Sequence, residues 1–202
     1  MALAAPVLGT TMSASVPDVL DAVRTATRTR HDYVDSHMPL AQAAAGVQHY
    51  RDHLVLLRQW LAPLAACLAA LPAPLDGYAH GMHLRLAQID ADLAATGVLP
   101  ATRETSSIPS PQPDAFWWGV AYVIEGSQLG AALLHKRLAP ALAPFEPAYL
   151  RGDAHGPGRA WRRFLGDLQA NVHTPQTMDE CCRGACWAFD RLIALLATGD
   201  AA

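Results

Sequence analysis

Charged residues are scarce in this chain. Only 16% of its 202 residues are Asp, Glu, Lys or Arg, and they sum to a formal net charge of -3. That balance leaves no broad basic surface for a phosphate backbone and argues against nucleic acid as a partner. Cysteine is also sparse. Cys67, Cys181, Cys182 and Cys186 are too few and too unevenly placed for a disulfide framework, which suits a reducing compartment. No uninterrupted apolar run reaches the length of a membrane span: LAPLAACLAALPAPL is Ala-rich and broken by Pro63, Pro72 and Pro74. No alternating strand pattern competes with helical spacing, and no internal repeat is visible. The opening MALAAPVLGTTMSAS lacks the positively charged start of a secretory signal and reads as a disordered lead-in over residues 1–15. These absences predict a soluble cytoplasmic protein with no membrane contact.

What is present is apolar and helical. Hydrophobic residues make up 51% of the chain, enough for one sizeable core, so a single all-α domain over 16–202 is the natural reading. Ser15 followed by Pro17 and Asp18 suits a helix start. Val19, Leu20, Val23, Ala26, Tyr33 and Val34 then recur at helical spacing until Pro39. Further helices are predicted at about 41–71, 76–96, 114–139, 158–171 and 176–198. Between them VLPATRETSSIPSPQPD and the stretch at about 144–157 read as loops.

Two helical segments carry unusual chemistry. WWGVAYVIEGSQLGAALLHKRL is strongly apolar yet holds Gly119, Gly126 and Gly130 in its interior. Each interior glycine costs about 1 kcal/mol relative to alanine. Steps of seven and four residues put all three on one stripe, with Val123 and Ser127 beside it. Such a stripe serves either close packing against another helix or a flat ligand lying against the backbone. In VRTATRTRHDYVD, Arg24 and Thr27 precede His31 by seven and four residues and Asp35 follows it by four, all on one face. Seven residues of helix span about 10.5 Å. A cation at Arg24 can therefore meet an acidic group of a ligand that His31 holds at its centre.

Together these segments resemble a family. EGSQLGA is similar to the Glu-Gly-Ser-x-Leu-Gly-Gly signature of the biliverdin-producing heme oxygenases that accompany bacterial phytochromes, and TATRTRH resembles that family's Thr-x-x-x-His around the proximal ligand. IDADLAATG, WRRFLGDL and DECCRGACWAF resemble further landmarks in the family's order, so the likeness runs from about residue 20 to 198. It implies a helical fold with heme between a proximal helix bearing His31 and a distal helix bearing Gly126 and Gly130. Heme is then both substrate and cofactor. Molecular oxygen and electrons from a ferredoxin- or flavin-type reductase open it to biliverdin, carbon monoxide and ferrous iron, with a bacteriophytochrome as a candidate acceptor.

The resemblance assigns roles residue by residue. His31 becomes the proximal iron ligand, and neutral imidazole suits iron. Asp35, one turn after His31, is read from its spacing either as a partner that orders the ring or as a solvated surface carboxylate. Arg24, Thr27, Tyr122, Gly126, Gly130, Arg162 and Arg163 form the cofactor-binding set, with Arg24 on a heme propionate. Ser127, Gly126 and Gly130 form the catalytic set. Ser127 stands where animal-type enzymes have Asp and agrees with the phytochrome-associated subgroup. Ala131 replaces the last glycine of the signature and is expected to add a methyl near the distal groove. Those two positions keep open a heme carrier that does not turn heme over. A third reading, another enzyme on this fold such as the thiaminase-like group, leaves the glycine helix without a purpose. The pairs His49/His53 and His80/His83 have metal-compatible spacing but no third ligand nearby, so they read as surface or loop histidines. Cys181, Cys182, Cys186, Trp117 and Trp118 read as packing residues.

Overall fold

The computed structural model describes residues 18–97, 112–152 and 156–199. The lead-in over 1–15 and most of the VLPATRETSSIPSPQPD loop lie outside them. The described residues are helical and contain no strand: α1 (Val19–His37), α2 (Val47–Ala69), α3 (Leu75–Ala95), α4 (Asp114–Leu142), α5 (Ala148–Arg151), α6 (Pro157–Asn171) and α7 (Pro175–Gly199). No helix among them is long and apolar enough to cross a membrane.

Local chemistry sets the boundaries. Asp18, rather than Ser15, caps α1: its carboxylate accepts the Leu20 amide at 3.3 Å, satisfying one of the free donors of the first turn. Met38 is extended ahead of Pro39, as the proline ring requires, and α1 stops there. Residues 39–41 form one 3-10 turn, so α2 starts later than the spacing predicts, with the Gly46 amide donating to His49 Nδ1 at 3.3 Å. α4 continues through Pro140 into its last turn. The four-residue α5 lies in the stretch read as a loop. It has no apolar period of its own, and its first two amides donate to the buried Asp92 carboxylate of α3 at 3.1 and 2.9 Å.

α7 is the spine. α4 and α1 pack along it and α2 touches it, while α2 pairs with α3 and α6 leans on α4. Trp60 Nε1 donates to the Ala188 carbonyl at 3.0 Å and ties α2 to the spine. The α4–α7 crossing is close because Gly119 and Gly184 are there. A Cβ on Gly119 would collide with the Cys181 carbonyl and lie 2.7 Å from the Ala185 amide, and one on Gly184 would collide with the Phe116 carbonyl. Trp117, Trp118 and Cys181 are core residues, as predicted. Tyr33 is not: it stacks on His37 at 3.8 Å on the outside of α1.

Candidate functional site

α1 and α4 both rest on α7 yet scarcely touch each other, so they form two walls on one support. Arg24 of α1 lies near the Tyr122 hydroxyl of α4, with its guanidinium loosely paired to Asp21 at 3.8 Å. Burial pushes the Tyr122 pKa up and Arg24 only partly opposes the shift, so the hydroxyl stays protonated at neutral pH and can donate. The Tyr122 ring packs against Trp161 of α6 at 5.4 Å.

His31 stands on the α1 wall with 60% of its side chain exposed, and its Nδ1 lies 3.1 Å from Asp35 Oδ2. A carboxylate can only accept, so in the neutral ring Nδ1 carries the proton and Nε2 keeps a free lone pair. That is the arrangement in which a carboxylate orients a metal-ligating imidazole. The ring edge rests on Phe189 of α7 at 5.9 Å. Its neighbour Arg30 binds Asp190 of α7 through Nε at 2.7 Å and Nη2 at 3.1 Å, fixing α1 on the spine beside the histidine.

The glycine stripe of α4 divides. Gly119 belongs to the α7 crossing, which is the packing alternative. Gly126 and Gly130 do not: a Cβ on Gly126 would only touch the Trp161 ring at 3.7 Å, and one on Gly130 would meet nothing within 4 Å. Three residues past Gly130, Leu133 is 69% exposed, an apolar side chain with no protein partner to cover it. The open stripe therefore has room for an apolar, flat group against the backbone, which fits heme.

Other predicted residues sit differently. Thr27 is buried and donates to the Val23 carbonyl at 2.8 Å, so its hydroxyl serves its own helix. Ser127 likewise donates to the Ile124 carbonyl at 2.7 Å. Ala131 is buried against a cavity on the flank of α4 away from the stripe, so its methyl does not crowd Gly126 or Gly130. Arg162 and Arg163 are both exposed, and Arg163 lines that same cavity. Of the histidine pairs, His80 and His83 are exposed on α3, not in a loop, and His53 is buried at 5% exposure. Among the described residues no three His, Cys, Asp or Glu side chains gather as a metal site.

Sequence reasoning missed Leu133, Phe189 and the Arg30–Asp190 clasp as parts of this region. Leu133 carried a signal, seven residues after Gly126, and so did Phe189, the last residue of the DECCRGACWAF landmark. Phe189 and Asp190 meet α1 across some 160 residues of chain.

No family model matches the chain, and no curated protein matches it. Among solved structures, the NO- and CO-bound heme oxygenase of Neisseria meningitidis is similar, with a TM-score of 0.72 and 24% identity over 91% of this chain and 92% of that one. The chain has the fold of a helical heme oxygenase.

Proposed function

We propose that the chain is a heme oxygenase that opens heme to biliverdin, carbon monoxide and ferrous iron, drawing electrons from a ferredoxin- or flavin-type reductase in the cytoplasm and supplying a phytochrome chromophore. The observation that carries this reading is the His31–Asp35 pair at 3.1 Å, which leaves Nε2 of an exposed imidazole free as an iron ligand. The fold shared with the Neisseria enzyme supports it. The phytochrome link rests on the EGSQLGA resemblance with Ser127 in place of an acid.

Bound heme supplies the redox-active iron and the porphyrin edge that is oxidised. The protein's part is orientation. Asp35 holds the His31 ring in one tautomer, and Arg30–Asp190 holds the helix that presents it. Arg24 and the protonated Tyr122 hydroxyl offer two donors for a propionate, a charge-assisted pairing that sets which way the ring lies. Gly126 and Gly130 leave the α4 backbone open, and Leu133 adds apolar cover. Ser127 is near enough in sequence to turn its hydroxyl from Ile124 toward the stripe, where it would hold a water.

The test is direct. Hemin, a reductase and oxygen are added to the purified chain while absorbance is followed. Loss of the Soret band with growth of a biliverdin band supports the enzyme. A Soret band that persists through reduction in air would instead favour the heme carrier. His31→Ala should lose the histidine-ligated spectrum, and an unchanged spectrum would sink the ligand assignment.

A further inference from the structure

A cavity of about 520 Å3 lies on the far flank of α4, walled by α3 and α6 and closed by α5. It is not the α1–α4 cleft: His31, Arg24, Tyr122, Gly126 and Gly130 do not line it. Its floor is an ion pair between Arg85 of α3 and Glu125 of α4, Nη2 to Oε1 at 2.8 Å, with the two side chains 13% and 6% exposed. Arg85 Nη1 is buried as well and has no hydrogen-bond partner. Beside it the Gln128 amide donates to the buried Tyr149 hydroxyl at 3.4 Å.

The lining is strongly one-signed. Among the described residues Arg85, Arg151, Arg159 and Arg163 face a single carboxylate, Glu125, in a chain whose formal net charge is -3. Glu125 neutralises Arg85, which leaves three guanidiniums at the rim. Among the described residues Arg151 and Arg163 have only loose partners, the exposed Glu146 at 3.6 Å and the half-buried Asp167 at 3.9 Å, and such surface pairs contribute little. Positive charge gathered on low-dielectric walls focuses potential into the cavity and concentrates anions there. A buried guanidinium N–H without an acceptor is destabilising, a cost that an incoming oxygen would relieve. The remaining wall is apolar: Leu84 is 57% exposed here, next to Ala131, Ala132 and Trp161. The volume lies in the range of small-molecule sites.

We propose that this cavity binds a small organic anion, its carboxylate or phosphate paired with the rim guanidiniums, one oxygen accepting from Arg85 Nη1, and its apolar body against Leu84 and Trp161. Guanidinium forks match either oxyanion in two-point geometry. The site is separate from the α1–α4 cleft, with Trp161 of α6 standing between the two.

Calorimetric titration of the heme-free full chain at constant ionic strength tests the proposal, with inorganic phosphate, phenyl phosphate and phenylacetate as probes. One site per chain is expected, with an aromatic anion bound at least tenfold more tightly than inorganic phosphate. Whether phenyl phosphate or phenylacetate binds better names the oxyanion, and either result supports the site. Arg159→Gln, an exposed change that leaves the fold intact, should weaken binding at least tenfold. The double variant Arg85→Gln/Glu125→Gln, which removes the pair without stranding a charge, should do the same. No heat with any probe up to about 10 mM, or an affinity indifferent to Arg159→Gln, would overturn it. Neither outcome bears on the His31→Ala test, so the two readings fail separately.

Discussion

Gly119 of α4 and Cys181 of α7 meet backbone to backbone, with no room for a side chain between them. The collision that a Cβ would make is with a carbonyl, not with a side chain that can swing away. Gly119→Ala therefore gains about 1 kcal/mol of helix propensity and loses more through overpacking, for a net destabilisation of about 2 kcal/mol. Thermal unfolding should show a Tm lower by about 4–8 °C. An unchanged Tm would mean that the crossing is looser than the structure shows.

Gly130 makes the opposite case. A methyl placed there would meet nothing within 4 Å, so Gly130→Ala should stabilise the empty protein by up to about 1 kcal/mol, or about 2–4 °C in Tm. If heme lies on this stripe, the same methyl must weaken heme binding. A variant that is more stable when empty and poorer at binding is the expected signature. Higher Tm with undiminished heme affinity would remove Gly130 from the site.

Asp35 is expected to act on heme through His31. Replacing it with alanine leaves the imidazole in place but frees its tautomer and orientation, and losses of this kind weaken metal binding about 10- to 100-fold. Heme titration of Asp35→Ala should show that loss, with the histidine-ligated spectrum retained at saturation. Full loss of the spectrum would point to a disturbed α1 instead.

How much of this is legible in the sequence depends on sequence distance. Helical periodicity locates the six long helices, because apolar spacing and Pro or Gly punctuation are local signals. The two alternatives for the glycine stripe both hold, for different glycines, and only the neighbouring α7 backbone tells Gly119 from Gly130. α5 is invisible in the sequence because its support is Asp92, 56 residues earlier in the chain. The Arg85–Glu125 pair joins residues 40 apart; Glu125 opens the EGSQLGA signature, but nothing in the sequence marks Arg85 as its partner. Ala131, by contrast, draws weight as a signature residue, yet the turn of α4 carries its methyl away from the groove.

Asp92 offers a test of that hidden support. Besides the two α5 amides it accepts the Tyr50 hydroxyl at 2.6 Å, so one buried carboxylate joins α2, α3 and α5. Asp92→Asn places an NH2 group against at least one of these donors. A stranded buried donor costs about 1–3 kcal/mol, so Tm should fall, and hydrogen exchange should rise first at Ala148 and Tyr149. Protection there equal to the parent's would refute the anchoring role.

His53 gives a dependence on pH whose sign can be worked out. It is fully enclosed in α2, its Nδ1 lacks a partner, and burial pushes its pKa down from 6.5 to about 3. The unfolded chain binds a proton below about pH 6.5 that the folded chain refuses. Stability is therefore lost as pH falls from about 6.5 toward 3, at up to about 1.4 kcal/mol per pH unit from this residue. His53→Leu fills similar space and removes the titration. Denaturant unfolding of both proteins at neutral pH and at about pH 4.5 should show the variant gaining on the parent by as much as about 3 kcal/mol at the lower pH. A stability difference that does not change between the two conditions would mean that the imidazole accepts its proton inside the fold.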